Sequence, residues 1–463
     1  MRRDDQQPRS AVGRAARRWP APHDRRTGRR LVAILAACGL AAGIAACGSS
    51  SGSSKSAASG AAKGGVVHLT FWSWVPGIAQ QVKMFNKSHP DIQVNLLQTP
   101  TGAQGTYAKM FAAIKAGDAP DVGQLEFDVL PAFVATGGVL NLAKYGATSD
   151  ASKFTPSSWK QVSFGNGVWA IPQATGPTGL FYNAALFKKY GLAVPTTWAQ
   201  FASEAVSLHK AHPGVYMTNF DTDPSWLAMF AWQAGGNWFA ASGNQWKLGF
   251  TDPGSEQAAQ YWQKLIAEKA VPAEASFNAA WYHQLAKGQL LTWPTAQWGT
   301  TIMADNVPSG SGQWRVAPMP QWSAGANTYG QYGGSTTAVF KGTAHPQQAL
   351  EFAEWMNTNP QAIQAGVVAG FGWPAATSGL SVPALNTKMS YFGPEDIYKV
   401  FRTSSAQTAS GWSYGPDYST VLSQMGDTFN GLASGSSSLP GSLTTTLHQQ
   451  LSTLKSSGIN ATS

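Results

Sequence analysis

From Val66 the chain alternates apolar and polar positions over residues 66–72, and its β-branched and aromatic content predicts a strand. Ile78, Val82 and Phe85 then fall on one stripe, which predicts an amphipathic helix over 78–88, stopped by His89-Pro90-Asp91. A second strand is predicted over 92–97 and a second helix over 106–116. The Gly117-Asp118-Ala119-Pro120-Asp121 turn leads to a third apolar run ending at Glu126. Strand and helix alternate, which argues for a mainly parallel α/β sheet with helices on its faces. Ligands of such sheets sit beyond the carboxyl ends of the strands. That rule places Trp72 and Trp74 beside Glu126 and Asp128 at one sheet edge.

The stretch 166–201 has a different pattern. A short apolar run ends at Pro172, which suits a strand end or edge, and Gly176, Pro177 and Gly179 punctuate the chain before a second run over 180–182. Asn183 is placed to cap a helix over 184–190, with Gly191 at its left-handed end. Thr197 and Gln200 have capping-box spacing. Strand, bend, strand and capped helix together predict a joint where the chain crosses between two lobes. Near the carboxyl end, 418–432 and 439–454 are predicted helices joined by a Ser/Gly connector.

Composition narrows the reading. At 463 residues, two lobes are the simplest expectation. Residues 1–30 hold ten Arg and three Asp, and residues 31–46 are free of charge. A basic region followed by an apolar core is the pattern of an export signal over 1–46. The apolar run is shorter than the ~20 residues a spanning helix needs. Arg25-Arg26 and Arg29-Arg30 permit a twin-arginine route. The Ile44-Ala45-Ala46-Cys47 ending is similar to a bacterial lipobox, with Cys47 as the lipidated residue in preference to Cys38. Residues 47–65 have flexible-tether composition. Of the +9 net charge, +7 belongs to residues 1–46, so only +2 remains in the exported part, and the basic pI does not point to nucleic acid. Both cysteines lie in this leader region, which leaves the fold without a disulfide or thiol nucleophile. Tryptophan is abundant, with 18 of 19 after the leader, and flat aromatic faces suit sugar rings.

Gly117-Asp118-Ala119-Pro120-Asp121-Val122, Gly137-Gly138-Val139-Leu140-Asn141-Leu142 and Gly167-Val168-Trp169-Ala170-Ile171-Pro172 resemble, in that order, segments of the extracellular solute-binding proteins of ABC importers. Segments around Lys287, Trp314, Gly333 and Pro346 continue the series. The branch that fits is the sugar-binding family 1 lipoproteins. The resemblance implies a two-lobed class II periplasmic-binding-protein fold, each lobe a mainly parallel sheet flanked by helices. Lobe 1 would hold 66–173 and 330–380, and lobe 2 would hold 174–329 and 381–463. It further implies a carbohydrate ligand, permease subunits with a cytoplasmic ATPase, a lipid anchor in the membrane, a monomeric state, and no cofactor or metal.

Sugars need planar polar groups for their hydroxyls and aromatic faces for their C–H surfaces. The candidates from the first lobe are Trp72, Trp74, Glu126 and Asp128, each of which could instead be core or a solvated loop. Gln173 and Thr175 lie on the first crossing, and Tyr332 and Gly334 on the second. Asp223, Trp293, Gln297, Trp298, Trp373, Trp412 and Tyr414 complete the set, with Asp223 equally suited to cap a helix. The Gly48-Ser49-Ser50-Ser51-Gly52 spacing and the glycines at 370 and 372 lack the strand–helix setting of a hydrolase elbow or a dinucleotide site. Two rivals stay open: a secreted glycoside hydrolase, which needs two carboxylates flanking one bond, and the same fold with a polyamine, metal chelate or peptide ligand.

Overall fold

Residues 65–463, apart from Gly243 and Asn244, are described by a computed structural model; the export signal, Cys47 and the tether through residue 64 lie outside them. The chain begins with β1 (Val67–Ser73), α1 (Ile78–Ser88), β2 (Ile92–Gln98), α2 (Thr106–Ala116) and β3 (Val122–Glu126). β1 pairs in parallel with both β2 and β3, as alternation predicts. Both helices start and stop where the apolar stripe does. Phe85 of α1 is fully buried against Phe352 at 4.9 Å between ring centroids, and Gly117 ends α2 with φ 73°.

Helices α3 (Leu130–Ala135) and α4 (Pro156–Val162) and the short strands β4 (Ser163–Phe164) and β5 (Gly167–Val168) lead to β6 (Ile171–Asn183). Here the structure departs from the predicted strand–bend–strand. β6 is one 13-residue strand that runs straight through Gly176, Pro177 and Gly179. Pro172 faces a register shift in its partner, where a missing N–H breaks no regular ladder. Gly176 serves close approach rather than bending, because a Cβ there would lie 1.8 Å from the Tyr332 carbonyl oxygen.

Past β6 come α5 (Ala184–Tyr190), α6 (Trp198–Ala211), β7 (Phe220–Asp221), α7 (Pro224–Gln233), β8 (Phe239–Ser242), β9 (Gln245–Leu248), α8 (Pro253–Ala267), β10 (Ala273–Glu274), α9 (Ala279–Lys287), β11 (Thr292–Ala296), α10 (Gly299–Asn306) and β12 (Trp314–Ala317). Asn183 caps α5 through Leu186 N, Gly191 follows it with φ 67°, and Thr197 and Gln200 close the capping box of α6. β13 (Gln331–Val339) then returns along β6, followed by α11 (Pro346–Thr358), α12 (Pro360–Val368), β14 (Trp373–Pro374), α13 (Ile397–Ala406), α14 (Tyr418–Phe429), α15 (Leu439–Ser456) and β15 (Asn460–Thr462).

The main sheet has the order β11-β6-β13-β3-β1-β2, with β12 and β14 also on β6. β6 changes partners along its length. Its first half, through Pro177, pairs with β13 and β14; from Thr178 it pairs with β11 and β12, all antiparallel. Within 166–201, where the sequence predicts a bend between two strands, a single strand is thus shared by two sets of neighbours.

Among the described residues ten tryptophans are buried, including Trp198, Trp226 and Trp262, whose rings meet Phe230 edge-on at 4.5–5.1 Å. Much of the tryptophan excess therefore fills cores. Among the described residues no helix is long and apolar enough to cross a membrane.

Candidate functional site

The carboxyl end of β3 presents Glu126 and, two residues on, Asp128. The Tyr107 hydroxyl on α2 donates to Glu126 Oε2 at 2.7 Å and accepts from Glu126 N at 3.2 Å, which fixes the carboxylate. Burial pushes the Glu126 carboxyl above its ordinary range, and the Tyr107 hydrogen bond opposes it. Burial also lifts Asp128, to about 8, with the Glu126 charge adding to the effect and two backbone N–H groups opposing it. Asp128 Oδ1 is buried without a hydrogen-bond partner. Such an atom is costly unless something binds it.

Opposite these carboxylates, Asp223 accepts from Ser225 N at 2.9 Å and caps α7. Asp221 Oδ1 accepts from Asp223 N at 3.1 Å and from Ser276 N at 3.3 Å, and burial lifts its carboxyl to about 6. Ser225, Ala228 and Trp232, one helical stripe, line the same cavity as Glu126 and Asp128. Trp232 stacks on Trp412 with centroids 5.4 Å apart and planes within 8°, and its N–H donates to Ala409 O. Tyr414 meets Tyr418 edge-on at 4.8 Å. Gly333 and Gly334 complete the wall at φ 77° and 132°; a Cβ on Gly334 would lie 2.6 Å from the Phe127 ring. The result is a cavity of about 150 Å³ with Trp232, Tyr332, Trp412, Tyr414 and Tyr418 around two carboxylates.

The cavity does not end there. A second compartment of about 190 Å³ shares Glu126 and Gly334 and adds Trp74, Thr175, Trp298 and Phe371. A third, of about 450 Å³, shares Trp298 and Gly372 and adds Gln297, Val367 and Tyr398. Trp298 donates its N–H to Tyr332 O at 2.9 Å, which sets its ring between compartments. Thr175 Oγ1 and Gln297 Oε1 are buried and unpartnered. Among the described residues, no Lys, Arg or His lines any of the three. The compartments form a groove with aromatic walls and uncommitted hydrogen-bonding groups.

Of the residues singled out in the sequence, Trp74, Glu126, Asp128, Thr175, Gln297, Trp298, Tyr332, Gly334, Trp412 and Tyr414 come together along this groove. Five lie off its walls. Trp72 is half-buried with Lys109 Nζ 4.6 Å above its ring, because β1 ends at Ser73 and Trp74 alone continues beyond the sheet. Gln173 is buried beneath, its Oε1 accepting from Ser335 Oγ at 3.0 Å. Asp223 is spent on its cap. Trp293 packs edge-on to Trp281 at 5.0 Å, since β11 begins at Thr292 and keeps Trp293 inside the sheet. Trp373 is fully buried beside Phe401. Sequence reasoning missed Tyr107, Ser225, Ala228, Trp232, Phe371 and Tyr418; the i, i+3, i+7 spacing after the Asp223 cap was the available signal for three of them.

The sequence profile described as bacterial extracellular solute-binding protein matches residues 72–363. The arabinooligosaccharide-binding protein of Bacillus subtilis (strain 168) is 26% identical over 307 residues, which cover 63% of this chain and 69% of the relative. An uncharacterized lipoprotein of Streptomyces antibioticus is 25% identical over 349 residues, covering 70% of this chain and 74% of the relative. Among solved structures, the galacto-N-biose-/lacto-N-biose I-binding protein of the ABC transporter from Bifidobacterium longum, in complex with lacto-N-biose, is 28% identical with a TM-score of 0.75. The alignment covers 87% of this chain and 100% of that one. The architecture is the two-lobed class II periplasmic-binding-protein fold. With the profile matching well over half its length and the fold in agreement, this chain belongs to the bacterial extracellular solute-binding protein family.

Proposed function

We propose that this protein is the substrate-binding subunit of an ABC-type carbohydrate importer, taking a small oligosaccharide in the groove. The observation that carries this reading is the run of three linked compartments, walled by aromatic rings and floored by unpartnered polar atoms. Sugars present apolar ring faces and hydroxyl edges, and such a groove matches both. The ligands for which the relatives are named, arabinooligosaccharide and lacto-N-biose, support a short chain of sugar units. Lobe 1 comprises 66–173 and 330–380, and lobe 2 comprises 174–329 and 381–463; the exchange of partners on β6 after Pro177 supports a changeover there. The ligand bridges the lobes and makes contacts that only the closed state completes, which shifts the population toward closure.

The protein is exported and acts outside the cytoplasm, as its family and leader suggest. It is anchored through lipidated Cys47, a reading supported by the lipoprotein relative, and as a monomer it delivers sugar to permease subunits driven by a cytoplasmic ATPase. Calorimetric titration with arabino-, galacto- and gluco-oligosaccharides tests the assignment. Saturable binding to at least one series is expected. Turnover of an oligosaccharide, abolished by Glu126→Gln, would replace binding with hydrolysis.

A further inference from the structure

Among the described residues, the blind end of the groove holds acidic groups and no basic one. Glu126 and Asp128 both line it, and the other charge acting on Asp128 is Asp223. Asp221 stands behind Asp223, and the remaining titratable groups facing the carboxylates are Tyr107, Tyr332, Tyr414 and Tyr418. The nearby ammonium groups are committed elsewhere. Lys109 lies over Trp72, and Lys160 donates to Gly411 O from a separate cavity that it shares with Tyr414. Among the described residues no group of His, Cys, Asp and Glu is placed to hold a metal ion.

Hydroxyl groups would meet the hydrogen-bonding needs of these two carboxyls but bring no counter-charge, so that a proton must stay on Asp128 in its place. A cation answers both, and the same wall carries five aromatic rings. A second requirement comes from the other side of the cavity. Trp412 is fully buried on its wall with its indole N–H unpartnered, and an occupant that offers an acceptor would satisfy it. An ammonium beside a hydroxyl or ring oxygen, on a body with apolar faces, satisfies all three. We infer that the blind end is a subsite for the protonated amino group of an amino-sugar unit at one end of the bound oligosaccharide. This rests on the carbohydrate reading and names the class of sugar.

The test is calorimetry at pH 7 with matched disaccharides of glucosamine and of galactosamine, their N-acetylated forms, and their neutral parents. In at least one series the free amine is expected to bind about tenfold tighter than both counterparts. Repetition in buffers of different ionisation enthalpy is expected to show roughly one proton released per ligand, because Asp128 gives up its proton beside a cation. The double variant Glu126→Gln, Asp128→Asn is expected to reduce the preference below about threefold; should it not fold, the wild-type comparison decides alone. Neutral or N-acetylated sugars binding as tightly as the amines would overturn the subsite and leave the carbohydrate reading intact. Binding of putrescine or choline with no sugar bound would overturn both, as would no binding at all.

Discussion

Burial and the Glu126 charge hold the Asp128 carboxyl at about 8, whereas an aspartate of the unfolded chain titrates near 3.9. Between these values the unfolded state loses a proton that the native state keeps. Stability tied to this group is therefore full below pH ~4 and is lost as pH rises toward 8. Asp128→Asn removes the titration, so the variant's melting temperature is expected to match wild type near pH 4 and to exceed it by a few degrees at pH 8. A difference that stays flat across that range would contradict the assignment. The same substitution is expected to weaken ligand binding by roughly 10–100-fold, the size of a lost charged hydrogen bond. Trp232 and Trp373 offer a second contrast, because both are buried and only Trp232 faces the groove. Truncation of either to Ala is expected to cost about 3–5 kcal/mol of stability. Only Trp232→Ala is expected to lower affinity by more than tenfold in a fluorescence titration. This pair also marks what single residues reveal in sequence. Trp232 was hidden because every residue of α7 except Ser225 is buried, so the Ser225, Ala228 and Trp232 stripe does not stand out from the core-facing residues. Trp373 was visible as an aromatic near a crossing, yet only the packing of β14 on β6 tells that it faces inward.

At the scale of elements, caps and stripes carried most of the information. α1 stops at His89 and α2 at Gly117, and α5 lies between Asn183 and Gly191, as the sequence predicts, since those signals are local. β6 was not legible because its glycines and prolines answer to a crossing strand 150 residues away in sequence. Gly176→Ala pushes a methyl into the Tyr332 carbonyl at 1.8 Å, so it is expected to lower stability by about 1–3 kcal/mol and to weaken binding in the same protein. Unchanged melting and affinity would refute the close-approach role. α4 makes a different connection. Lys160 Nζ donates to Gly411 O at 3.2 Å and Gln161 Nε2 to Trp412 O at 3.1 Å, pinning the segment that carries Trp412 and Tyr414. The double variant Lys160→Ala, Gln161→Ala loses two hydrogen bonds worth about 1 kcal/mol each. Dissociation is expected to quicken about tenfold in stopped-flow fluorescence, and an unchanged rate would show that these bonds do not hold the groove closed.

For the whole molecule, the two-lobed fold followed from an ordered series of loose motifs. The groove itself did not follow, because its walls come from β3, α7, β13 and the segment 407–418, which only tertiary structure brings together. Which tryptophans face the groove and which only fill the core is a property of the assembled lobes, since Trp232 and Trp412 on the wall are as buried as Trp293 and Trp373 off it. The linked compartments make length dependence the most direct consequence of the account. Calorimetric titration with mono-, di- and trisaccharides of a binding series measures it. Affinity and the negative heat-capacity change are expected to grow with each unit as successive compartments fill, and to stop growing when the groove is full. Equal affinity for all three lengths, or no heat with any sugar, would contradict a groove built to take an oligosaccharide.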